Sequence, residues 1–191
     1  MRVMQFAEKP SIIVKRPFDS KSAVGCAFTG GRRQRLSMSE PASGFPASAP
    51  LVVLDTNVVL DLWLFDDARS TPLRQALDAG ALTALVTAPM LAELADVLQR
   101  PFAQGWPIPP AAALANLKTC ARLVEPSRAA GPPVPRCTDP DDQKFIDLAW
   151  HWPAAWLVSR DRAVLRLAKP SLARGLRIVT PERWAALNTP A

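Results

Sequence analysis

The sequence predicts an α/β fold: a three-layer sandwich whose central, mostly parallel sheet is flanked by helices. Three observations carry this. Short continuous apolar runs such as Leu51-Val52-Val53-Leu54 have the length and composition of strands buried on both faces. They alternate with segments of helical character, the pattern of crossovers between parallel strands. Polar or acidic residues directly follow the runs, and in open parallel sheets ligands bind beyond that carboxyl edge.

Taken in order, Leu51–Leu54 is the first expected strand, and Asp55-Thr56-Asn57 ends it. Val58–Phe65 is apolar nearly all round and reads as a buried helix. Ser70-Thr71-Pro72 starts a further helix that Gly80 closes. Ala84–Val86 is a second strand, and Thr87 is expected to cap a helix running until Pro101. Ala111–Val124 reads as one helix, and Pro126 to Pro135 as a Pro-rich loop. Asp139-Pro140 opens a helix to about His151, with Pro140 near its first turn. Ala155–Ser159 is a strand, Asp161–Ala168 a helix, Leu176–Thr180 a strand, and Pro181–Leu187 a terminal helix.

Residues 1–49 differ from the rest. They hold Gly30-Gly31, four prolines and a Ser-rich stretch without sustained periodicity, and are expected to form a disordered or loosely packed leader before a domain at 50–191. Met38, after the basic run, is an alternative start, and a transit-peptide reading of the Arg- and Ser-containing leader ranks second. The formal charge of +6 resides mostly here: the leader has eight basic and three acidic residues, out of 23 and 17 in the chain. The high isoelectric point is thus weak support for nucleic-acid binding by the domain.

Several chemistries are disfavoured. Three scattered cysteines, Cys26, Cys120 and Cys137, do not make a secreted disulfide framework. One histidine, His151, leaves neither a Cys/His zinc site nor a patterned Ser–His–Asp triad. No apolar run approaches the ~18 residues of a membrane span, so no membrane association and a cytoplasmic location are expected. No glycine-rich phosphate loop is present.

The acids are more informative. Asp55 follows the first strand, Asp161 a later one, and the helix after the second strand carries Glu93 at the border of its Met90-Leu94-Val97 stripe. Asp96 lies further round, four residues before Arg100, as a surface ion pair would. Asp142 shares the core face of Phe145 and Ala149, while Asp147 points away. Simpler roles compete: Asp139 fits a cap, Asp142 could be a capping-box acid, and Asp61, Asp66, Asp67 and Asp78 read as solvated or capping. Cys120 and Trp63, Trp150, Trp156 and Trp184 read as packing, and Arg160, Arg162 and Arg166 as a solvated helix face. Joint placement lifts Asp55, Glu93, Asp142 and Asp161 above this background. Four acids at one sheet edge cannot all stay ionised without a cation, and oxygen ligands suit Mg²⁺ or Mn²⁺.

The run Leu51-Val-Val-Leu-Asp-Thr-Asn-Val-Val-Leu-Asp61 resembles the opening of a PIN domain, a metal-dependent ribonuclease fold. Ala92-Glu93-Leu94, Asp139-Pro-Asp-Asp-Gln-Lys-Phe145, Leu157-Val-Ser-Arg-Asp161 and Arg177-Ile-Val-Thr-Pro-Glu182 resemble its later motifs, in family order. The wording around Asp139–Phe145 is similar to that of a bacterial, VapC-like branch described as toxins of toxin–antitoxin pairs. The resemblance implies that Asp55, Glu93, Asp142 and Asp161 are catalytic, metal-binding acids, with Asn57 and Ser159 as supporting polar neighbours. It further implies Mg²⁺ or Mn²⁺ as cofactor, RNA as substrate, an antitoxin protein as partner, and a homodimer. Arg160, Arg162 and Lys144 are expected to hold the RNA backbone. Two positions depart from the family pattern: Arg160 stands where Gly is frequent, and Ala163 where a further Asp is frequent. These departures keep a catalytically weak or inactive RNA- or partner-binding module as the alternative. A phosphatase with an Asp55 nucleophile is a third reading, disfavoured because Asn57 stands where a second Asp is usual.

Overall fold

The computed structural model describes residues 49–106, 108–126 and 133–188. The expected leader over residues 1–49 lies outside the described residues except for Ala49, as does much of the Pro126–Pro135 loop.

The described chain runs β1 (Leu51–Leu54), α1 (Thr56–Trp63), α2 (Thr71–Asp78), β2 (Thr83–Val86), α3 (Ala88–Leu98), α4 (Pro110–Cys120) and β3 (Ala121–Leu123). It continues through α5 (Gln143–His151), β4 (Trp156–Val158), α6 (Arg162–Leu165), α7 (Ala168–Ser171), β5 (Arg177–Val179) and α8 (Pro181–Asn188). The five strands form one sheet in the order β3-β2-β1-β4-β5, with every pairing parallel. The predicted three-layer α/β architecture is therefore the observed one. No helix among the described residues is long and apolar enough to cross a membrane.

The central strands are apolar because both of their faces are covered. Val52, Val53, Leu54, Ala84, Leu85, Val86, Leu157 and Val158 are all buried. Each fully buried Val or Leu side chain among them contributes about 1.5–3 kcal/mol relative to exposure. Helix α5 packs on β1 and β4 through Phe145, Ile146, Leu148 and Ala149, the face its periodicity predicts. Helix α1 is buried along almost its entire length and packs on α4. The buried or nearly buried Trp63, Trp150, Trp156 and Trp184 serve packing, and Cys120 lies in the core.

Connectivity determines where a site can form. From β1 the chain winds to β2 and β3, then crosses back to the other side of β1 for β4 and β5. The winding reverses between β1 and β4, and ligands of open α/β sheets collect at that crevice. Register aligns the two strand ends. Leu54 pairs with Val158, and Val158 with Val179. Asp55 N–H donates to the Val158 carbonyl at 3.0 Å, and Ser159 N–H to the Val179 carbonyl at 3.0 Å. Asp55 and Ser159 thus leave the sheet side by side.

Some elements differ from expectation. The helix expected to reach Val124 stops at Cys120, and residues 121–123 form β3 beside β2. Arg122 and Leu123 are exposed on this edge strand, so the apolar signature of a buried strand is missing. The helix expected over Asp161–Ala168 is a single turn, α6, followed by the separate α7. Thr87 occupies the cap position of α3 with extended geometry but makes no side-chain capping bond. Helix α5 begins later than expected, after a 3₁₀ turn at Pro140–Asp142 capped by Asp139. Gly80 has φ of +68°, the left-handed geometry expected just past α2.

Candidate active site

Asp55 is the first residue beyond β1 and only 2 % exposed. It caps α1, its Oδ1 accepting the Asn57 backbone N–H at 3.3 Å. Its other oxygen, Oδ2, accepts the Ser159 hydroxyl at 2.5 Å. The Ser159 Oγ in turn accepts the Asp161 backbone N–H at 2.9 Å, and Asp161 Oδ1 accepts the Ala163 N–H at 2.6 Å. A continuous chain of hydrogen bonds therefore runs from the end of β1 through the end of β4 to the start of α6. Both acids are helix caps, the structural role expected of acids at such positions. Asn57 meets Asp55 through its main chain.

Asp142, half-buried at the start of α5, makes no side-chain capping bond. The capping-box alternative for it is absent; Asp139 caps the preceding turn by accepting the Asp141 N–H at 3.0 Å. Electrostatics join Asp142 to the other two acids. Burial, then the charges of Asp55, Asp161 and Asp139, push its carboxyl up to about 7, with Lys144 pulling the other way. Asp55 is pushed up to about 6, chiefly by burial. The Ser159 hydroxyl and Asn57 N–H oppose that rise, the Asp161 charge adds to it, and Lys144 opposes it.

Glu93 lies at the flank. Its Oε2 is 2.5 Å from Lys144 Nζ, and its Oε1 accepts from the Thr56 hydroxyl at 3.5 Å. Lys144 also donates to the Asp141 carbonyl at 2.7 Å and sits over the Phe145 ring. The pair borders the acidic crevice, and Lys144 is near enough to act on both Asp55 and Asp142.

The arrangement thus gathers Asp55, Asp142 and Asp161 into one field at the switch point, with Ser159 between two of them and the Glu93–Lys144 pair beside them. Among the described residues no three acidic, cysteine or histidine side chains are gathered closely enough to cage an ion. The donor chemistry nevertheless fits a hard divalent cation. The converging groups are all carboxylate oxygens, two of them raised by burial and mutual repulsion. Carboxyls raised in this way can exchange protons near neutral pH.

The basic residues expected to contact substrate are placed differently from one another. Arg162 is exposed at the first position of α6, and Lys144 pairs with Glu93. Arg160 is turned elsewhere and is no solvated helix residue. Its Nε donates to Asp61 Oδ2, its Nη1 to Glu182 Oε1 at 2.6 Å, and its Nη2 lies 3.7 Å from Asp67 Oδ2. Asp61, expected to be solvated or capping, is 5 % exposed on α1. A signal for this was available: a helix apolar on every face leaves no solvated side for an acid. Nothing local pointed to Arg160, 99 residues away, as its partner.

No curated protein matches the chain. The PIN-domain family model matches residues 51–163, a span that includes Asp55, Glu93, Asp142 and Asp161 and ends within α6. That match covers more than half of the 191 residues, and the chain belongs to the PIN-domain family.

Proposed function

We propose that this chain is a metal-dependent endoribonuclease that hydrolyses RNA phosphodiester bonds, acting as the toxin of a toxin–antitoxin pair. PIN domains are generally nucleases and typically use divalent metals. The observation that carries the reading is the meeting of Asp55, Asp142 and Asp161 at the sheet's switch point, where burial first and the neighbouring acid charges second raise Asp55 to about 6 and Asp142 to about 7. Carboxyls in that range exchange a proton for a cation near neutral pH.

In this reading Asp55, Asp142 and Asp161 hold Mg²⁺ or Mn²⁺, and Glu93 joins them directly or through water. The bound ion supplies an activated water and neutralises charge that develops on the phosphoryl group. Ser159 fixes the Asp55 carboxylate through its hydroxyl and the Asp161 main chain through its oxygen. The Asn57 N–H holds the second Asp55 oxygen. Lys144 and Arg162 contact the RNA backbone at the rim, and phosphate contacts alone give little sequence preference. The toxin role, an antitoxin partner and a homodimer rest on the resemblance of the Asp139–Phe145 motif to that branch of the family.

A second reading, a weakly active or inactive RNA- or partner-binding module, is favoured by one observation: Ala163 leaves the start of α6 without a further acid. The test is cleavage of end-labelled RNA by the full-length protein with Mg²⁺, Mn²⁺ or EDTA, beside Asp55→Asn. Metal-dependent cutting that vanishes in the variant supports the nuclease. A folded protein that binds RNA but cuts none under any metal supports the module.

A further inference from the structure

Arg160 stands between two residues of the site, and its side chain leaves in the other direction. In extended backbone, neighbouring side chains point to opposite sides. The chain from β4 into the Asp161 cap is extended, with Asp161 at φ −73° and ψ 130°. Ser159 and Asp161 accordingly join the Asp55 network, whereas Arg160 reaches Asp61 on α1, Glu182 on α8 and the 3₁₀ turn at Ala68–Ser70. Arg69 closes a ring of alternating charge, lying 2.8 Å from Asp67 Oδ2 and 3.7 Å from Glu182 Oε1. Glu182 lies beyond the span that matches the family, so residues outside that span fasten a turn of the site.

We infer that Arg160 is a positioning residue: by tying α1 to α8 it fixes the turn that presents Ser159 and Asp161 to Asp55. The guanidinium suits this role because its planar fork bonds two carboxylates at once, which a lysine ammonium does not reproduce. The Arg160 side chain is 25 % exposed and that of Asp61 7 %, so the Asp61 bond is shielded from solvent, while Glu182, 38 % exposed, holds the outer arm of the guanidinium. Its two hydrogen-bonded acids, Asp61 and Glu182, belong to different elements, α1 and α8. With its side chain held at that depth, the Arg160 backbone cannot rotate without breaking two bonds, and the residues on either side keep their orientation.

The consequence for cleavage rests on the nuclease reading; the structural readout does not. Full-length wild type, Glu182→Gln, Arg160→Lys, Arg160→Gln and a surface ion-pair control, Arg100→Ala, are compared by amide hydrogen exchange and by RNA cleavage. The informative amides are Asp161 and Ala163, bonded to Ser159 Oγ and Asp161 Oδ1. In Glu182→Gln their exchange should speed up by about tenfold relative to the central sheet amides, a factor near that of one ordinary hydrogen bond. At saturating RNA and metal, kcat should fall about 10- to 100-fold with KM little changed, as when a ligand-orienting partner is lost. Arg160→Lys should recover only part of either effect, and Arg100→Ala should change neither. Arg160→Gln takes the guanidinium from buried Asp61 and is read only if it folds; Glu182→Gln keeps the test decisive if it does not. The inference is overturned if Asp161 and Ala163 exchange no faster, relative to the sheet, than in wild type. If wild type cuts no RNA, the nuclease reading fails while the exchange comparison still decides the positioning role.

Discussion

The Ser159 hydroxyl donates to Asp55 Oδ2 at 2.5 Å and accepts the Asp161 N–H at 2.9 Å, joining two acids that lie 106 positions apart in the sequence. A serine serves here because it donates and accepts at once. Ser159→Ala removes both bonds and leaves Asp55 buried without its main counterweight to desolvation. Stability at pH 8 should fall by about 1–3 kcal/mol, and metal-dependent cleavage about 10- to 100-fold. Urea unfolding and cleavage kinetics measure the two. A variant as stable and as fast as wild type would remove Ser159 from the site.

The raised acids give the metal-free protein a signed dependence on pH. A carboxyl whose folded pKa exceeds its unfolded value binds its proton more tightly when folded, so its contribution is full below about 4 and is lost as pH rises through the folded value. For Asp55 that window runs from 3.8 to about 6, and for Asp142 from 3.8 to about 7. Stability in EDTA should therefore decline between pH 4 and pH 7, by up to about 3 kcal/mol from fully buried Asp55. Glu182 acts the other way but in a lower window: burial raises it, the bonds from Arg160, its own N–H and Thr180 with the Arg160 charge together outweigh burial, and its contribution is lost as pH falls below 4.5. Urea unfolding from pH 4 to pH 8 should show the decline in wild type and a flatter line in Asp55→Asn. Equal slopes would mean that Asp55 is not the group responsible.

The sequence makes Asp55 legible because its context is local: four apolar residues end at an acid, and the next residues begin a helix. Asp142 is legible for a similar reason, since helical periodicity puts it on the face of Phe145 and Ala149. The rest depends on partners remote in sequence. Asp61 has no nearby cation to mark it, and its partner arrives 99 residues later. Strand β3 is hidden because Arg122 and Leu123 face outward at the sheet edge, and pairing with β2 rather than side-chain burial defines it. Lys144 has acids one helical turn away on both sides, Asp141 and Asp147, so its local sequence does not single out Glu93 on α3, 51 residues earlier, as its ion-pair partner.

Asp142→Asn should separate stability from activity. Asp142 makes no capping bond and stands in the field of Asp55, Asp161 and Asp139, so its charge is a repulsive element of the folded state above pH 7. Neutralising it should stabilise the metal-free protein at pH 8 by about 1 kcal/mol or less once solvent screening is counted. Functional sites commonly retain such unfavourable charge. In the nuclease reading Mn²⁺ should stabilise wild type against heat, since binding to the folded state alone raises its stability, and the same variant should lose both that stabilisation and cleavage. Thermal melts with EDTA and with Mn²⁺, beside cleavage assays, test both halves. A variant that is less stable in EDTA yet fully active would contradict the placement of Asp142 among repelling ligands.

Lys144 should set the pH at which the acids become available. It opposes the rise of both Asp55 and Asp142 while bound to Glu93 at 2.5 Å. With roughly a third of each side chain exposed, the Lys144–Glu93 pair contributes at most about 1 kcal/mol to folding, so its removal should leave a folded protein. In Lys144→Met the cation is gone, both acids rise further, and a higher pH is needed to ionise them. The acidic limb of kcat/KM at low metal concentration should move toward alkaline pH by up to about one unit. Glu93→Gln, which releases Lys144 from its partner without removing its charge, should move the limb less. Because the acids are coupled, the limb reports the cluster rather than one residue. A profile that drops in height without moving along the pH axis would instead make Lys144 a substrate contact with no influence on the acids.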